Sequence, residues 1–204
     1  MSGPELSPAK REQILGGAIS VFRELGYQRA SVDAIASRAG VSKATIYNHF
    51  RDKEALFLAT VDRENQAVRE KFVSLLESPT GDVEADLRMI GAQLLRLAGS
   101  PASILRYRIV TAEAGRFPEA CRSLYECGIL VARRNLARFF GEAARLGLLD
   151  VPDPEAAAID FSSLCVDNAR SMLHLGIVPN LTDELVEGEV DRAVRTFLRA
   201  YRRA

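Results

Sequence analysis

Ala36-Ser37-Arg38-Ala39-Gly40-Val41-Ser42-Lys43-Ala44-Thr45-Ile46-Tyr47-Asn48-His49-Phe50-Arg51-Asp52-Lys53 is the stretch whose reading decides the fold. Gly40 stands where a tight turn between two helices needs a positive φ. Ser42 follows as a cap for a new helix of about eight residues. In that helix Ile46 and Phe50 are four apart and share the inward face, which turns Ala44, Thr45 and Asn48 outward and leaves Tyr47 and His49 on the flanks. The outward face is small, polar and aromatic, as a helix lying in the major groove requires: base edges must be approached closely while hydroxyls and the helix N-terminus meet phosphates. Lys43 in the first turn opposes the helix dipole unless something negative lies opposite, and a phosphate or the acceptor edge of guanine would supply it.

Upstream, Ser31 caps a short helix from Val32 to Ala39 whose Val32, Ile35 and Ala36 face inward, small Ala36 allowing a close helix crossing. Before it, Ser7 as cap, Pro8 in the first turn and Gly26 as a left-handed stop predict a helix over 8–25, with Ile14, Ala18, Val21 and Leu25 as its buried stripe. Downstream, Asp52 caps a fourth helix carrying Leu56, Phe57, Val61, Val68, Phe72 and Leu76.

The remaining chain is cut into helix-sized pieces by Pro79 to Gly81, Gly99 to Pro101, Pro118, Pro152 to Pro154 and Pro179, with no convincing alternating segment, so the chain reads as all-α. Val83, Leu87, Ile90, Leu94 and Leu97 form another stripe. The last two pieces, 154–176 and 182–203, are long, and the first is apolar over more than one face, so it packs on two sides.

The 27 basic and 27 acidic residues cancel. Residues 1–53 nevertheless hold eight Lys or Arg against five Asp or Glu, so the head is locally basic while the rest is acidic by the same margin. No run of about 18 apolar residues can span a bilayer, and the N-terminus, with Pro4, Glu5, Pro8, Lys10 and Arg11, lacks a secretory apolar stretch, so a cytoplasmic protein is expected. Cys121, Cys127 and Cys165 are odd in number and form no Cys-x-x-Cys pair, which speaks for thiols over a disulfide framework or a structural zinc site, with redox sensing as the competing reading.

Residues 8–57, and above all the run quoted above with its Thr-Ile-Tyr-Asn-His-Phe followed by Asp-Lys-Glu, are similar to the DNA-binding domain of TetR (tetracycline-repressor-like) regulators. The resemblance implies an N-terminal three-helix helix-turn-helix domain over 8–53 and a C-terminal helical ligand-binding and dimerisation domain over 54–204. It places Lys43, Ala44, Thr45, Tyr47, Asn48 and His49 at positions that touch bases or backbone, and Ser31 and Lys53 at positions that hold phosphates. It further implies a homodimer paired through 154–176 and 182–203, a palindromic double-stranded DNA operator, and a small-molecule effector whose binding releases a repressor. A packing role for Tyr47 and His49, and plain solvation of Lys43 and Lys53, is the competing reading. Arg108 to Glu119 resembles a segment of one large group of these regulators, after which a long helix begins at Pro118.

Arg106, Tyr107, Glu113, Asn168 and His174, polar residues on otherwise apolar helices, are candidates to line an effector pocket. The alternative makes Arg106 and Glu113 structural ion-pair partners and His174 a helix or interface residue. With two histidines, no Ser-His-Asp or metal-ligand spacing and no glycine-rich phosphate loop, the chain is expected to be no enzyme and to need no metal or cofactor. The rival function is a helical ligand-binding or interaction protein whose head is only a scaffold.

Overall fold

Four side chains set the start of four helices. The Ser7, Ser31 and Ser42 hydroxyls and the Asp52 carboxylate each accept from the backbone N–H three residues on, at 3.4, 3.1, 3.0 and 2.8 Å, and so satisfy donors that the first turn leaves free. The helices that follow are α1 (Pro8–Arg29), α2 (Val32–Ala39), α3 (Lys43–His49) and α4 (Lys53–Val73). Then come α5 (Val83–Ala98), α6 (Pro101–Ala112), α7 (Pro118–Leu124), a π-helical segment (Tyr125–Ile129), α8 (Leu130–Arg145), α9 (Pro154–Leu175) and α10 (Asp183–Tyr201). This is a computed structural model that describes residues 7–73 and 78–202, and among them there is no strand. On α4 the side chains of Val68 and Phe72, and all of Leu76, lie outside the described residues.

Two departures from the sequence reading are local. Gly26 does leave helical geometry (φ 72°, ψ 171°), but the chain re-enters a turn that runs to Arg29 and brings Tyr27 inside. The helix expected from Pro118 is interrupted by the π-helical segment Tyr125–Ile129, for which the apolar spacing gives no sign.

The chain divides into two compact units: Met1–Asn65 with Leu105–Leu124, and Gln66–Ile104 with Tyr125–Ala204. In the first, α1, α2 and α3 close over Ile14, Leu15, Ala18, Ile35, Ile46 and Phe50, and the opening turns of α4 add Leu56, Phe57 and Val61. Residues from well beyond the head join the same core: Val110, Phe117, Ala120 and Leu124. Phe117 is sealed from solvent, its ring 4.8 Å from Tyr27 and 5.3 Å from Phe57. α1 and α2 cross closely at Gly17, where an added Cβ would fall 2.6 Å from the Cβ of Ala39.

The second unit packs α5, α8, α9 and α10 around Leu87, Leu95, Leu136 and a ring cluster of Phe140, Phe161 and Phe197 with centroids 4.9 to 5.8 Å apart. Tyr201 stacks on Phe197 at 4.5 Å and its hydroxyl donates to Asp160 at 2.7 Å, tying the end of α10 to α9. α9 packs against α5, α8 and α10, and Phe161, Cys165 and Ala169 along one face of it meet no solvent. Burial pushes the Cys165 thiol up to about 12, so at pH 8 the thiol form dominates and the reactive thiolate is scarce. Iodoacetamide at pH 8 should therefore leave Cys165 unmodified in the folded protein and label it after unfolding in guanidinium, as read by peptide mass spectrometry. Native labelling within minutes would show that the α5–α9–α10 packing opens.

Candidate nucleic-acid interface

The outer face of α3 is shaped by the burial of two residues. Ile46 and Phe50 sink into the core and leave Lys43, Ala44, Tyr47 and Asn48 exposed, with Thr45 and His49 half-buried beside them. Ser42 caps α3 through its Oγ, which also lies 2.7 Å from the Thr45 hydroxyl, so the first turn is fixed before any partner arrives. Gly40 holds the turn between α2 and α3 at φ 63°, a region open to glycine at little cost. Its N–H donates to the Ser37 carbonyl and that of Val41 to the Ala36 carbonyl, which closes α2.

Each charged candidate has a protein partner. The Lys43 ammonium donates to Asp33 in the first turn of α2 at 2.9 Å, and this carboxylate holds the lysine above its ordinary range, by hydrogen bonding first and Coulomb attraction second. Lys53 donates to the carbonyls of Tyr27 and Ala30, both at 3.0 Å, and lies 4.4 Å above the Tyr27 ring. Two of its three N–H groups thus serve the end of α1. Ser31 is exposed and its Oγ is engaged as the cap of α2. His49 keeps a buried Nδ1 with no hydrogen-bond partner. Asp52 is held below the usual carboxylate range by the Ala55 N–H and then by Arg51.

Residues that the sequence reading missed complete the support. Gln13 on α1 donates to the Ala39 carbonyl at 2.7 Å and so positions the turn that launches α3. Arg38 bridges to Ser20 and to Glu24, the latter at 2.7 Å. Arg11 lies 5.1 Å over the Phe50 ring. An i, i+3 or i, i+4 search cannot find such pairs, since they join different helices.

The five candidate effector residues fall in both units. In the first, Arg106 is buried, Tyr107 is half-buried and Glu113 accepts from Gln28 at 2.9 and 3.0 Å. In the second, Asn168 donates to Glu189 at 2.6 Å and borders a groove of about 540 Å³ between α9 and α10, along with Asp160, Leu164, Arg192 and Phe197. His174 lies half-buried in the last turn of α9. Among the described residues there is no group of three or more His, Cys, Asp or Glu able to hold a metal ion, and no helix long and apolar enough to cross a membrane.

Comparison with known proteins agrees with this geometry. Residues 14–60 match the profile of the bacterial regulatory proteins of the tetR family, and residues 85–203 match that of the AefR-like transcriptional repressor C-terminal domain. The chain is 48% identical over 61 residues to the HTH-type transcriptional repressor Rv1474c of Mycobacterium tuberculosis, covering 29% of this chain and 33% of that protein. It is 48% identical over 54 residues to the HTH-type transcriptional activator FasR of Mycolicibacterium smegmatis, covering 26% and 25%. The chain thus spans about a third or less of these curated relatives' length. A solved structure, the flavonoid-responsive regulator FrrA, superposes with a TM-score of 0.77 at 34% identity, covering 97% of this chain and all of that one. A capped helix-turn-helix with a polar outer face, followed by a helical unit that matches the second profile over more than half the chain, makes this protein a member of the TetR family of bacterial regulators.

Proposed function

We propose that the protein is a sequence-specific DNA-binding repressor that works as a homodimer and is released from a palindromic operator by a small-molecule effector. The observation that carries the reading is the outer face of α3, where Lys43, Ala44, Tyr47 and Asn48 are exposed on a helix anchored by Ile46 and Phe50. Ala44 lets the helix approach base edges, Asn48 suits adenine and Lys43 suits guanine or phosphate. Tyr47, Thr45, His49 and the Ser31 hydroxyl serve the backbone, and the remaining N–H of Lys53 reaches a phosphate. One helix of seven residues reads too few base pairs for useful specificity, which a two-fold axis doubles. α9 and α10 are the pairing elements that the family resemblance supports.

Release needs only differential affinity: an effector that prefers the non-binding form a hundred-fold supplies about 2.7 kcal/mol of bias. A route for it is present within the first unit, where Glu113 and Phe117, at the corner between α6 and α7, hold Gln28 and Tyr27 at the end of α1. A shift of α6 therefore pulls on the head directly. The flavonoid responsiveness of FrrA supports an aromatic organic effector. No catalytic step belongs to this reading.

Selection from a random DNA pool tests it. Two inverted half-sites are the expected product, a single half-site would sink the homodimer, and no enrichment would favour the scaffold-head alternative. The Lys43–Asp33 pair gives a sharper check, since Lys43 must leave Asp33 to meet DNA. Asp33→Asn should strengthen operator binding by about two- to fivefold. Lys43→Ala should weaken it and lower the salt slope by about 0.9, or relax one base position if it reads guanine. If Lys43→Ala changed neither affinity nor base preference, in fluorescence anisotropy across a salt series, the assignment of Lys43 would fail.

A further inference from the structure

Three charged side chains are more than nine-tenths buried among the described residues, and two of them are well served. Asp86 accepts from the Thr80 N–H and hydroxyl at 2.9 and 2.8 Å, and Glu189 takes Asn168 and Arg192. The third is Arg106 on α6, 8% exposed, whose Nε is buried with no partner. Its surroundings within the first unit explain why. The nearby carboxylate is Glu64 on α4, which attracts Arg106 but is already bonded to Arg23 of α1, and Arg23 in turn repels Arg106. Arg23 thus holds the Glu64 carboxylate, and among the described residues no carboxylate is bonded to the buried Arg106 guanidinium. Burial draws the guanidinium down from its ordinary value, yet an arginine starts so high that it stays protonated at neutral pH.

A second polar orphan belongs to the same helices. Asn65, next to Glu64 and fully buried, gives its amide N–H to Ser123 at 3.1 Å but leaves Oδ1 without a donor. In folded proteins buried charges are generally paired and buried polar atoms generally bonded. A buried donor fork with no bonded carboxylate among the described residues is what a site looks like before its ligand supplies the missing charge.

We propose that Arg106 receives the carboxylate of an organic-acid effector. The planar guanidinium matches a carboxylate through two parallel hydrogen bonds. One negative charge matches the single buried guanidinium that has no bonded carboxylate among the described residues, whereas a phosphate dianion would bury a net negative charge. This rests on the effector-released reading above and names the chemical class of the effector.

The test uses the full chain and three acid and amide pairs: benzoate with benzamide, cinnamate with cinnamamide, and decanoate with decanamide, each titrated by calorimetry and by thermal unfolding. At least one acid should bind saturably and at least tenfold more tightly than its amide. In Arg106→Gln that preference should vanish while the melting temperature holds or rises, because an unpaired buried charge is gone. Arg106→Lys, which keeps the charge but loses the planar fork, should retain only part of the preference and covers the case in which the glutamine variant folds poorly. Equal binding of acid and amide, an acid preference surviving in Arg106→Gln, or no acid binding at millimolar concentration overturns the proposal. Acid binding through Arg106 without selective DNA binding would sink the regulator reading alone. Operator release by a neutral compound, unaffected by Arg106→Gln, would sink the carboxylate assignment alone.

Discussion

Phe117→Ala should destabilise the DNA-binding unit by about 3–5 kcal/mol, the cost of removing a fully buried aromatic ring and leaving a void. Phe117 lies more than sixty residues beyond the recognition helix, yet its ring is enclosed by Tyr27 and Phe57, and Arg116 lies 5.1 Å over it and 5.2 Å over Tyr27. Without it, Tyr27 and the end of α1 lose the surface that orders them, and Lys53, which donates to the Tyr27 carbonyl, loses its footing. Urea unfolding gives the magnitude, and hydrogen exchange should show faster exchange in α1 and the first turns of α4 ahead of α9 and α10. A loss below about 1 kcal/mol would show that the corner between α6 and α7 only touches the head without being part of its core. A large loss would show that the α6–α7 corner and the reading head share one core.

The second large effect separates two neighbours in sequence. Gly17→Ala should cost about 1–3 kcal/mol, because the new Cβ would stand 2.6 Å from the Cβ of Ala39 and 2.9 Å from its backbone, where neither helix can yield without opening the α1–α2 crossing. Gly16→Ala should instead stabilise by about 0.5–1 kcal/mol, since a Cβ there meets nothing within 4 Å and the substitution favours helix. Combining Gly17→Ala with Ala39→Gly should rescue only part of the loss, because the Ala39 backbone atoms remain at 2.9 Å. Thermal unfolding of the variants decides it. Equal behaviour of the two single glycine variants would mean that the α1–α2 crossing is loose enough to admit a Cβ at position 17.

Much of the interface was legible in the residues 31–53. Ser31, Gly40, Ser42 and Asp52 act as caps and turn where they stand, and Ile46 and Phe50 face inward as their spacing requires. Such features depend on residues within about four positions, so the chain carries them wherever it folds. The sequence reading also placed the close crossing at Ala36. Ala36 is buried, and Gly17 with Ala39 makes a further close approach of α1 and α2, one that depends on how the two helices cross.

Partners and boundaries belong to that second class. Asp33 and Lys43 are ten residues apart on different helices, and their pairing follows from the turn angle between α2 and α3. The head core extends past residue 53 into α4 and takes in 105–124, which no local pattern marks, because Phe117 is apolar in the same way as many other residues until Tyr27 and Phe57 are seen to enclose it. Arg106 stood in the sequence as one of several polar residues on an apolar helix; burial, and the prior claim of Arg23 on Glu64, are what leave it as an unpaired charge. The sequence by itself determined the helices, their caps and the outward polar face of α3, since those are fixed by short-range backbone geometry and spacing. Only the tertiary structure decided which distant segment completes the head and which buried charge lacks a partner, because burial and Coulomb balance are properties of several helices packed together.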